Sequence, residues 1–468
     1  MKILLNAMIL FLPFYGFSQT VKIDKEIQIG QSANASQAGA IRFNGIDFEG
    51  FDGTEWHSFT QNNSSNGSGS AIWGQPVLSS LEDQKLNAAI ANSSDYFGYS
   101  VSVSGNTAVI GTYLDDDAGT DAGCAYIFSK MNGVWTEIAK LTASDAVANH
   151  WFGYSVGISG DVVVVGAYRD GGDTGAAYVF EKPMSGWVNM TEDAKLTASD
   201  GAGSDKLGFS VDIDGNYVVI GAPEDDDNGL NSGSAYVFER PGGGWSNMTE
   251  TAKLTSSDGS GSDLFGYSVS ISDNTLVIGA HLNDQVSGDA GAAYIFEMPG
   301  GGWSNANENA KLIAFDGAGS DWFGYAVAIS GDDVIIGAYG DNGNKGSAYI
   351  FQKSGANWVS TSTSSKVEAF GSLGTDRFGY SVAIENGTAV VGAPYYDDQS
   401  IDQGVAYVIQ KNDGVWNHRF GSITLKASDG STDDRAGWSV SISGGTIFSG
   451  AFSSTGFDHG AVYVYSQK

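Results

Sequence analysis

Short apolar segments of strand length recur along the chain, separated by small and polar residues. In FGYSVSIS, Phe265, Tyr267, Val269 and Ile271 alternate with glycine and serine, a period of two that predicts a strand with one bulky face and one small face. The segment that follows, TLVIGA, is almost wholly apolar, as expected of a strand buried on both faces. Segments such as GAAYVF and KLTASD predict two further strands, so that each copy of the pattern contains four.

The four-strand pattern occurs seven times at a regular spacing. Successive copies of the glycine in FGYS lie 55, 55, 58, 58, 55 and 58 residues apart, at Gly98, Gly153, Gly208, Gly266, Gly324, Gly379 and Gly437. Four strands repeated at this period are typical of one blade of a β-propeller. The sequence therefore predicts an all-β fold, a seven-bladed β-propeller of four-stranded blades.

The two ends of the repeat array complete one another. The last copy stops after three strands, whereas Trp73 and the segment QKLNAA (84–89) precede the first copy. We expect this N-terminal strand to join the three C-terminal strands and close the ring, which leaves no end blade exposed.

The region ahead of the propeller divides into three parts. Residues 1–18 have the basic start, apolar run and small residues of a secretory signal peptide, with cleavage expected near Ser18/Gln19. Residues 19–60 form a short β-rich extension with hairpin signals at Asn44-Gly45 and Asp52-Gly53. Residues 61–70 are predicted to be a flexible linker, and residues 71–468 form the propeller.

Composition and charge limit the classes of partner that this protein is expected to bind. The formal charge is −31, which argues against nucleic acid and anionic membranes; the same charge also serves to keep an exported protein soluble. No segment after the signal is long and apolar enough to span a membrane. The single cysteine, Cys124, stands where other copies have Ala, Ser or Val, which indicates a small core residue. We expect a secreted or cell-surface protein that is a monomer.

Phe-Gly at the start of each copy and Gly-Ala-Pro about a dozen residues later resemble the FG-GAP repeats of integrin α-subunit propellers. Phe97-Gly98 and Phe265-Gly266 match the first half, and Gly221-Ala222-Pro223 matches the second. The resemblance implies the propeller fold and protein binding through loops on one face. It also implies calcium-binding hairpins, but the corresponding turns here, such as ISDNTLV, are too short and too poor in carboxylates. Those calcium sites are therefore not expected in this chain.

More than half of the 54 acidic residues fall in two loop classes, between strands 2 and 3 of a blade and between strand 4 and the next blade. Strands alternate in direction, so both classes open on one face, which is predicted to be acidic. Two readings remain open: Asp-Gly pairs are common turn formers, and clustered carboxylates bind calcium loosely. The best candidates for weak calcium ligands are the two aspartate triplets, Asp115, Asp116 and Asp117, and Asp225, Asp226 and Asp227.

The residue before each Phe-Gly position varies within an otherwise constant frame: Tyr96, Trp151, Lys206, Leu264, Trp322, Arg377 and Arg435. Because this residue is expected to begin the first strand, which should be innermost, these side chains are predicted to ring the mouth of the channel on the acidic face. Tyr113, Tyr168, His281 and Tyr339, which follow the Gly-Ala position, are predicted to lie nearby. Such residues either recognise a peptide or sugar, or plug the channel.

Catalysis finds little support. The five histidines occupy no common repeat position, and no nucleophile, zinc-protease or phosphate-loop motif is present. We therefore predict a non-enzymatic module for binding or adhesion to an extracellular protein ligand, without an obligatory cofactor. A carbohydrate-binding propeller and a structural cell-surface scaffold are the alternatives.

Overall fold

The computed structural model describes residues 41–43, 48–51, 56–58, 80–89, 95–362, 364–369, 374–397, 400–412, 414–416, 423–452 and 459–466. The predicted signal peptide, the linker and Trp73 lie outside these residues. The chain divides into two units: the N-terminal extension, and the propeller that contains all residues from 76 onward.

The N-terminal extension contains one small antiparallel sheet. Its strands are β1 (Ile41–Phe43), β2 (Phe48–Phe51) and β3 (Trp56–Ser58), paired in the order β1-β2-β3. The strands flank the two predicted hairpin turns, whose own residues lie outside the described part of the chain.

The second unit is a seven-bladed β-propeller, as predicted. Blade 7 takes its fourth strand, β4 (Gln84–Leu86), from the N-terminal side. Blade 1 comprises β5 (Ser100–Ser104), β6 (Thr107–Thr112), β7 (Cys124–Met131) and β8 (Val134–Leu141). Blade 2 comprises β9 (Ser155–Ser159), β10 (Val162–Ala167), β11 (Ala176–Glu181) and β12 (Ala194–Thr197). Blade 3 comprises β13 (Ser210–Asp214), β14 (Tyr217–Ala222), β15 (Ser234–Glu239) and β17 (Ala252–Leu254); β16 (Met248–Thr249) precedes its last strand.

The remaining blades repeat this order. Blade 4 comprises β18 (Ser268–Ser272), β19 (Thr275–Ala280), β20 (Ala292–Glu297) and β21 (Ala310–Leu312). Blade 5 comprises β22 (Ala326–Ser330), β23 (Asp333–Ala338), β24 (Ser347–Gln352) and β25 (Ser365–Val367). Blade 6 comprises β26 (Ser381–Glu385), β27 (Thr388–Ala393), β28 (Val405–Asn412) and β30 (Ile423–Leu425), with β29 (Val415–Trp416) extending its hairpin. Blade 7 is completed by β31 (Ser439–Ser443), β32 (Thr446–Ala451) and β33 (Ala461–Ser466). Short helical turns, Asp170–Asp173 and Asp341–Asn344, lie in loops of blades 2 and 5.

The first strand of each blade is innermost, but it begins later than the alternation suggested. In blade 4 the strand starts at Ser268, and Phe265 to Tyr267 form a turn ahead of it. Phe265, Val269 and Ile271 are buried together in the core. The alternation continues through the turn at Phe265 to Tyr267, so the period of two alone predicted a strand that begins too early.

Serines on the small face of the first strands join neighbouring blades. Ser268 Oγ donates to the carbonyl of Gly324, the Phe-Gly glycine of the next blade, at 2.8 Å. Blade 5 has Ala326 at this position and lacks the bond. The same contact recurs at six of the seven junctions: Ser100 to Gly153, Ser155 to Gly208, Ser210 to Gly266, Ser268 to Gly324, Ser381 to Gly437 and Ser439 to Gly98. The contact from Ser439 to Gly98 shows that blades 7 and 1 meet like any other pair.

Ring closure follows the predicted route. Strand β4 pairs antiparallel with β33, in the register Val462 to Leu86, Tyr463 to Lys85 and Val464 to Gln84. Leu86 is buried among residues of blades 7 and 1. The last three strands and one N-terminal strand therefore form a single blade.

Each blade's outer edge is partly covered by its neighbour. Met248–Thr249 runs parallel to Leu196 and Thr197 of the preceding blade, and Glu250 accepts bonds from the amide and hydroxyl of Ser199. At the closure, Leu81 bridges to Lys426 and Glu82 accepts the amide of Ser428 in the same way. An outer strand paired in this manner offers fewer free amides and carbonyls to another chain.

Candidate binding face at the channel mouth

The residue before each Phe-Gly position has a strained backbone. In blade 5, Trp322 has φ of +55°, and its carbonyl accepts the amide of Tyr325 at 3.1 Å. The turn between them needs positive φ at Gly324, which has +92°. A left-handed conformation costs a non-glycine residue about 1–2 kcal/mol. All seven equivalents adopt it: Tyr96, Trp151, Lys206, Leu264, Trp322, Arg377 and Arg435.

Hydrogen bonds from the preceding blade hold this conformation. The amide of Trp322 donates to the carbonyl of Asp289, in the loop between strands 2 and 3 of blade 4, and Asp289 itself has φ of +56°. The same bond links Trp151 to Asp121, Lys206 to Asp173, Leu264 to Asn231, Arg377 to Asn344 and Arg435 to Asp402. The two loop classes are therefore joined backbone to backbone, independently of the side chain that the strained residue carries.

Seven aromatic residues, one per blade, close the channel at this end. They follow the Phe-Gly glycine: Tyr99, Tyr154, Phe209, Tyr267, Tyr325, Tyr380 and Trp438. Each contacts the next around the ring, with centroid distances from 4.5 to 5.7 Å. Burial raises the pKa of Tyr99, Tyr154, Tyr267 and Tyr380 well above the usual value, so these hydroxyls stay neutral. This ring is not among the sites predicted from the sequence, although an aromatic residue after every such glycine was the available signal.

The predicted residues after Gly-Ala lie directly on this ring. Centroid distances are 4.5 Å from Tyr113 to Tyr99, 4.6 Å from Tyr168 to Tyr154, 4.1 Å from His281 to Tyr267 and 4.5 Å from Tyr339 to Tyr325. Burial raises the pKa of Tyr168 and of Tyr339 to about 12.

His281 is the one imidazole on the ring among the described residues. It is buried among Tyr267 and Tyr325, and its Nδ1 has no hydrogen-bond partner within the described part of the chain. Burial lowers its pKa to about 3, so the ring is neutral at physiological pH.

The aromatic side chains at the strained positions pack against the tyrosines that follow the Gly-Ala position. Tyr96 lies 5.8 Å from Tyr113, Trp151 lies 5.2 Å from Tyr113 and 5.4 Å from Tyr168, and Trp322 lies 4.8 Å from Tyr339. All three are half-buried, so part of each ring faces solvent.

Cationic side chains complete the surface. The guanidinium of Arg377 lies 3.9 Å from the ring of Tyr395, and that of Arg435 lies 5.3 Å from the same ring. Lys206 lies 5.8 Å from the ring of Tyr168 and pairs with Glu224 at 2.5 Å. The sequence did not point to Tyr395, nor to Arg169, 4.4 Å from the ring of Trp151, or Phe452, 5.1 Å from Tyr96. We call this continuous surface the collar: the seven strained residues with Tyr113, Tyr168, Arg169, His281, Tyr339, Tyr395 and Phe452.

Within each aspartate triplet, the first and third side chains point to a lysine, and the second points to a backbone amide. Asp115 and Asp117 both reach the ammonium of Lys140, at 2.8 and 2.6 Å, while Asp116 accepts the amide of Asp121 at 2.8 Å. The other triplet repeats this: Asp225 and Asp227 reach Lys253, and Asp226 accepts the amide of Asn231. A lysine ammonium thus lies where two carboxylates of each triplet converge. Among the described residues, the two triplets included, no three His, Cys, Asp or Glu side chains gather as a metal site.

The same arrangement of carboxylates around a lysine recurs in several blades, and we name this arrangement the lysine cluster. In blade 5, Lys366 on the last strand pairs with Asp316 from the incoming loop at 2.8 Å and with Asp341 from the loop between strands 2 and 3 at 2.5 Å. The hydroxyl of Tyr349 donates to Asp316 at 2.8 Å. Burial alone would raise the pKa of Asp316, but the hydrogen bonds from Lys366 and Tyr349 lower it below the usual value. The Asp of one KLTASD segment therefore pairs with the Lys of the next segment, as in Asp200 with Lys253 and Asp316 with Lys366.

A buried aspartate precedes the strained residue in six blades. Asp95, Asp205, Asp263, Asp321, Asp376 and Asp434 are almost fully buried; blade 2 has His150, whose Nδ1 lies 3.2 Å from Asp170. Asp321 accepts the amide of Ala318 at 2.6 Å. Burial raises the pKa of Asp205, Asp263 and Asp321, and that of Asp434 to about 6.

Fold and face together define a seven-bladed β-propeller that carries a collar of loop-borne side chains at one end of its channel. The model of the FG-GAP repeat matches residues 81–128, 135–180, 190–238, 248–296, 306–351, 362–409 and 416–465. The chain therefore belongs to the FG-GAP repeat family.

Other comparisons add little. No curated protein matches the chain. Among solved structures, it is similar to the crystal structure of the WD40 β-propeller domain of Doa1, at 14% identity and a TM-score of 0.47, covering 85% of this chain and 98% of that one. The described part of the chain contains no helix long and apolar enough to cross a membrane.

Proposed function

We propose that this chain is an exported, non-catalytic binding module, and that its collar recognises an extracellular protein ligand. The FG-GAP propeller commonly mediates protein binding. The observation that carries the proposal is the collar: half-exposed Trp151, Trp322, Arg377 and Arg435 on a rigid backbone. Tryptophan, tyrosine and arginine supply most of the binding energy at protein interfaces, and a preorganised backbone lowers the entropy lost on binding.

Backbone strain supports a binding role over simple plugging of the channel. The inner aromatic ring already fills the channel mouth through residues that lie one turn further on. Seven additional left-handed residues, each costing about 1–2 kcal/mol, are not needed for that purpose. Strain of this kind clusters at ligand-binding positions.

A carbohydrate ligand is the second candidate. Trp151 and Trp322 present half-exposed indole rings of the sort on which sugars stack, and Arg169 lies against one of them. A glycan array probed with the purified propeller decides this point: binding that is lost in Trp151→Ala and Trp322→Ala would favour the glycan, and an array without hits would remove it.

Site-specific photo-crosslinking tests the protein ligand. A photoreactive residue replaces Trp322 in the collar or, as a control, Asn274 in a hairpin turn between strands 1 and 2. Each protein is added to intact cells and medium of its own source and irradiated, and the adducts are identified by mass spectrometry. We expect a discrete protein adduct from position 322 that Arg377→Ala abolishes. Identical adducts from both positions would contradict the proposal.

Export is tested separately. N-terminal sequencing of the protein recovered from the medium or cell surface should begin at Gln19. Retention of residues 1–18 on protein confined to the cell interior would contradict the signal-peptide assignment, without bearing on the collar.

A further inference from the structure

The lysine cluster of blade 4 differs by one residue from the clusters of blades 1, 2, 3 and 5. Asp115, Asp170, Asp225 and Asp341 supply its central carboxylate in blades 1, 2, 3 and 5, whereas blade 4 has Asn283. A neutral amide forms no ion pair with the lysine, so this substitution weakens the cluster as an electrostatic device. It places instead a carboxamide beside a primary amine.

Four side chains form a continuous hydrogen-bonded line in blade 4. Asp258 Oδ2 lies 2.6 Å from Lys311 Nζ, and Lys311 Nζ lies 3.1 Å from Asn283 Oδ1. Asn283 Nδ2 donates to Asp263 Oδ2 at 2.9 Å. Asn283 and Asp263 are each 2% exposed, and the ring of Tyr294 lies 5.2 Å from the ammonium. The amine and the amide thus lie hydrogen-bonded to each other, with one carboxyl group at each end of the pair and the amide shielded from water.

We propose that Lys311 and Asn283 form an intramolecular isopeptide bond after the propeller has folded. Asp258 accepts a proton from the Lys311 ammonium, and the neutral Nζ attacks Cγ of Asn283. The new Nζ–Cγ bond forms as the Cγ–Nδ2 bond breaks. Asp263 gives a proton to the departing nitrogen and takes one back from Nζ. The departing ammonia takes up the proton that Asp258 accepted, so the products are one amide bond and one ammonium ion, and no oxidant or other co-reactant is needed.

The geometry suits these roles. Lys311 Nζ contacts Asn283 Oδ1 at 3.1 Å, so the amine already lies against the carboxamide whose Cγ it attacks, as an oriented intramolecular reaction requires. Asp263 touches the leaving nitrogen, and burial raises the pKa of its carboxyl group, which favours the protonated form that an acid needs. Asp258 touches the nucleophile and comes from the loop that enters the blade.

Peptide mass spectrometry of the purified protein tests the bond directly. Lys311 is the first tryptic site after Lys253, so a bonded Lys311 resists trypsin and yields residues 254–345 as one peptide lighter by one ammonia. A protease specific for glutamate cuts at Glu297 and Glu308, between the two residues. It should therefore release a branched pair of peptides joined through Lys311 and Asn283.

Two reactions that mimic the mass loss are distinguished by these digests. Cyclisation of an N-terminal Gln19 loses ammonia from a different peptide, and a succinimide at Asn283-Asp284 leaves Lys311 cleavable. Lys311→Arg, which keeps the cation but cannot attack as an amine, should abolish the branched peptide. Asp263→Asn should reduce its yield at least tenfold, and Lys253→Arg in blade 3 should leave it unchanged.

Fully cleavable Lys311 in wild-type protein, both fresh and after prolonged incubation, would overturn the proposal. So would an unchanged yield in Asp263→Asn, since the acid would then have no role. The wild-type result decides even if a variant fails to fold.

Discussion

Asp212 is a carboxylate on an inner strand, at a position where the other six blades have Ser, Gly or Ala. It accepts the hydroxyl of Ser270 at 3.0 Å and the amides of Ile271 and Ile213 at 2.9 and 2.8 Å. Burial nevertheless raises its pKa from 3.8 to about 6. The charged form is therefore disfavoured in the folded protein, and Asp212→Asn should remove that penalty.

The size of the effect follows from the two pKa values. The folded protein binds this proton more tightly than the unfolded chain, so stability falls as pH rises from 3.8 towards 6 and stays lower above it. A shift of this size corresponds to about 3 kcal/mol when fully developed. Between about pH 4.5 and pH 7.5, the difference in free energy of unfolding, variant minus wild type, should rise by about 2 kcal/mol.

Urea denaturation of both proteins across this pH range measures that difference. Any constant gain or loss from altered hydrogen bonds cancels, because only the change with pH is compared. Asp161→Asn, at a carboxylate 72% exposed in a turn of blade 2, controls for the loss of one acidic group. A difference between Asp212→Asn and wild type that stays flat with pH would refute the reasoning.

Three further measurements test the architecture and the acidic loops. Gly324→Ala places Cβ 2.3 Å from the carbonyl oxygen of Ala292 and should lower the free energy of unfolding by more than about 3 kcal/mol. Gly331→Ala, at φ of +57° with open space around it, should lower it by only about 1 kcal/mol. Denaturant titration measures both, and equal losses of stability would contradict the close-packing argument. Leu86→Ala in the closing strand should cost about 2–5 kcal/mol, as much as Leu254→Ala within blade 3, and a much smaller loss would mean that the closure contributes little. Calcium at millimolar concentration should raise the melting temperature relative to chelator if the aspartate triplets bind it, and an unchanged midpoint would remove those sites.

The repeat architecture was predictable because it rests on local patterns. Period-two alternation, apolar second strands and the missing fourth strand of the last copy were sufficient for seven blades and for their closure. The seven strained positions of the collar were also predictable, since a variable residue in a constant frame lies at a fixed place in every blade, whereas Arg169, Tyr395 and Phe452 were not. The positive φ of Trp322 and its equivalents was not, because nothing in their side chains favours it.

The chemistry of the acidic loops depended on contacts between distant residues. Lys253 meets Asp225 and Asp200, which lie 28 and 53 positions away along the chain. Counting aspartates in loops therefore overstated the free negative charge, because the opposing lysine lies on a strand and reaches into the loops only after folding. The contacts of Asn283 were hidden for the same reason, since Lys311 lies on the last strand of the blade and Asp263 in the loop that enters it.

The collar also has a consequence for variation and design. Within the described part of the chain, amide-to-carbonyl bonds to the preceding blade hold six of its seven strained residues, and Tyr, Trp, Lys, Leu and Arg already occupy the same conformation. Replacing one of these side chains by another leaves the backbone conformation, and its cost of about 1–2 kcal/mol, unchanged. The seven positions therefore carry side chains of different chemistry on the same local backbone. With the collar as the proposed binding surface, a propeller of this kind would acquire a new partner by substitution alone, without insertions or a change in loop length.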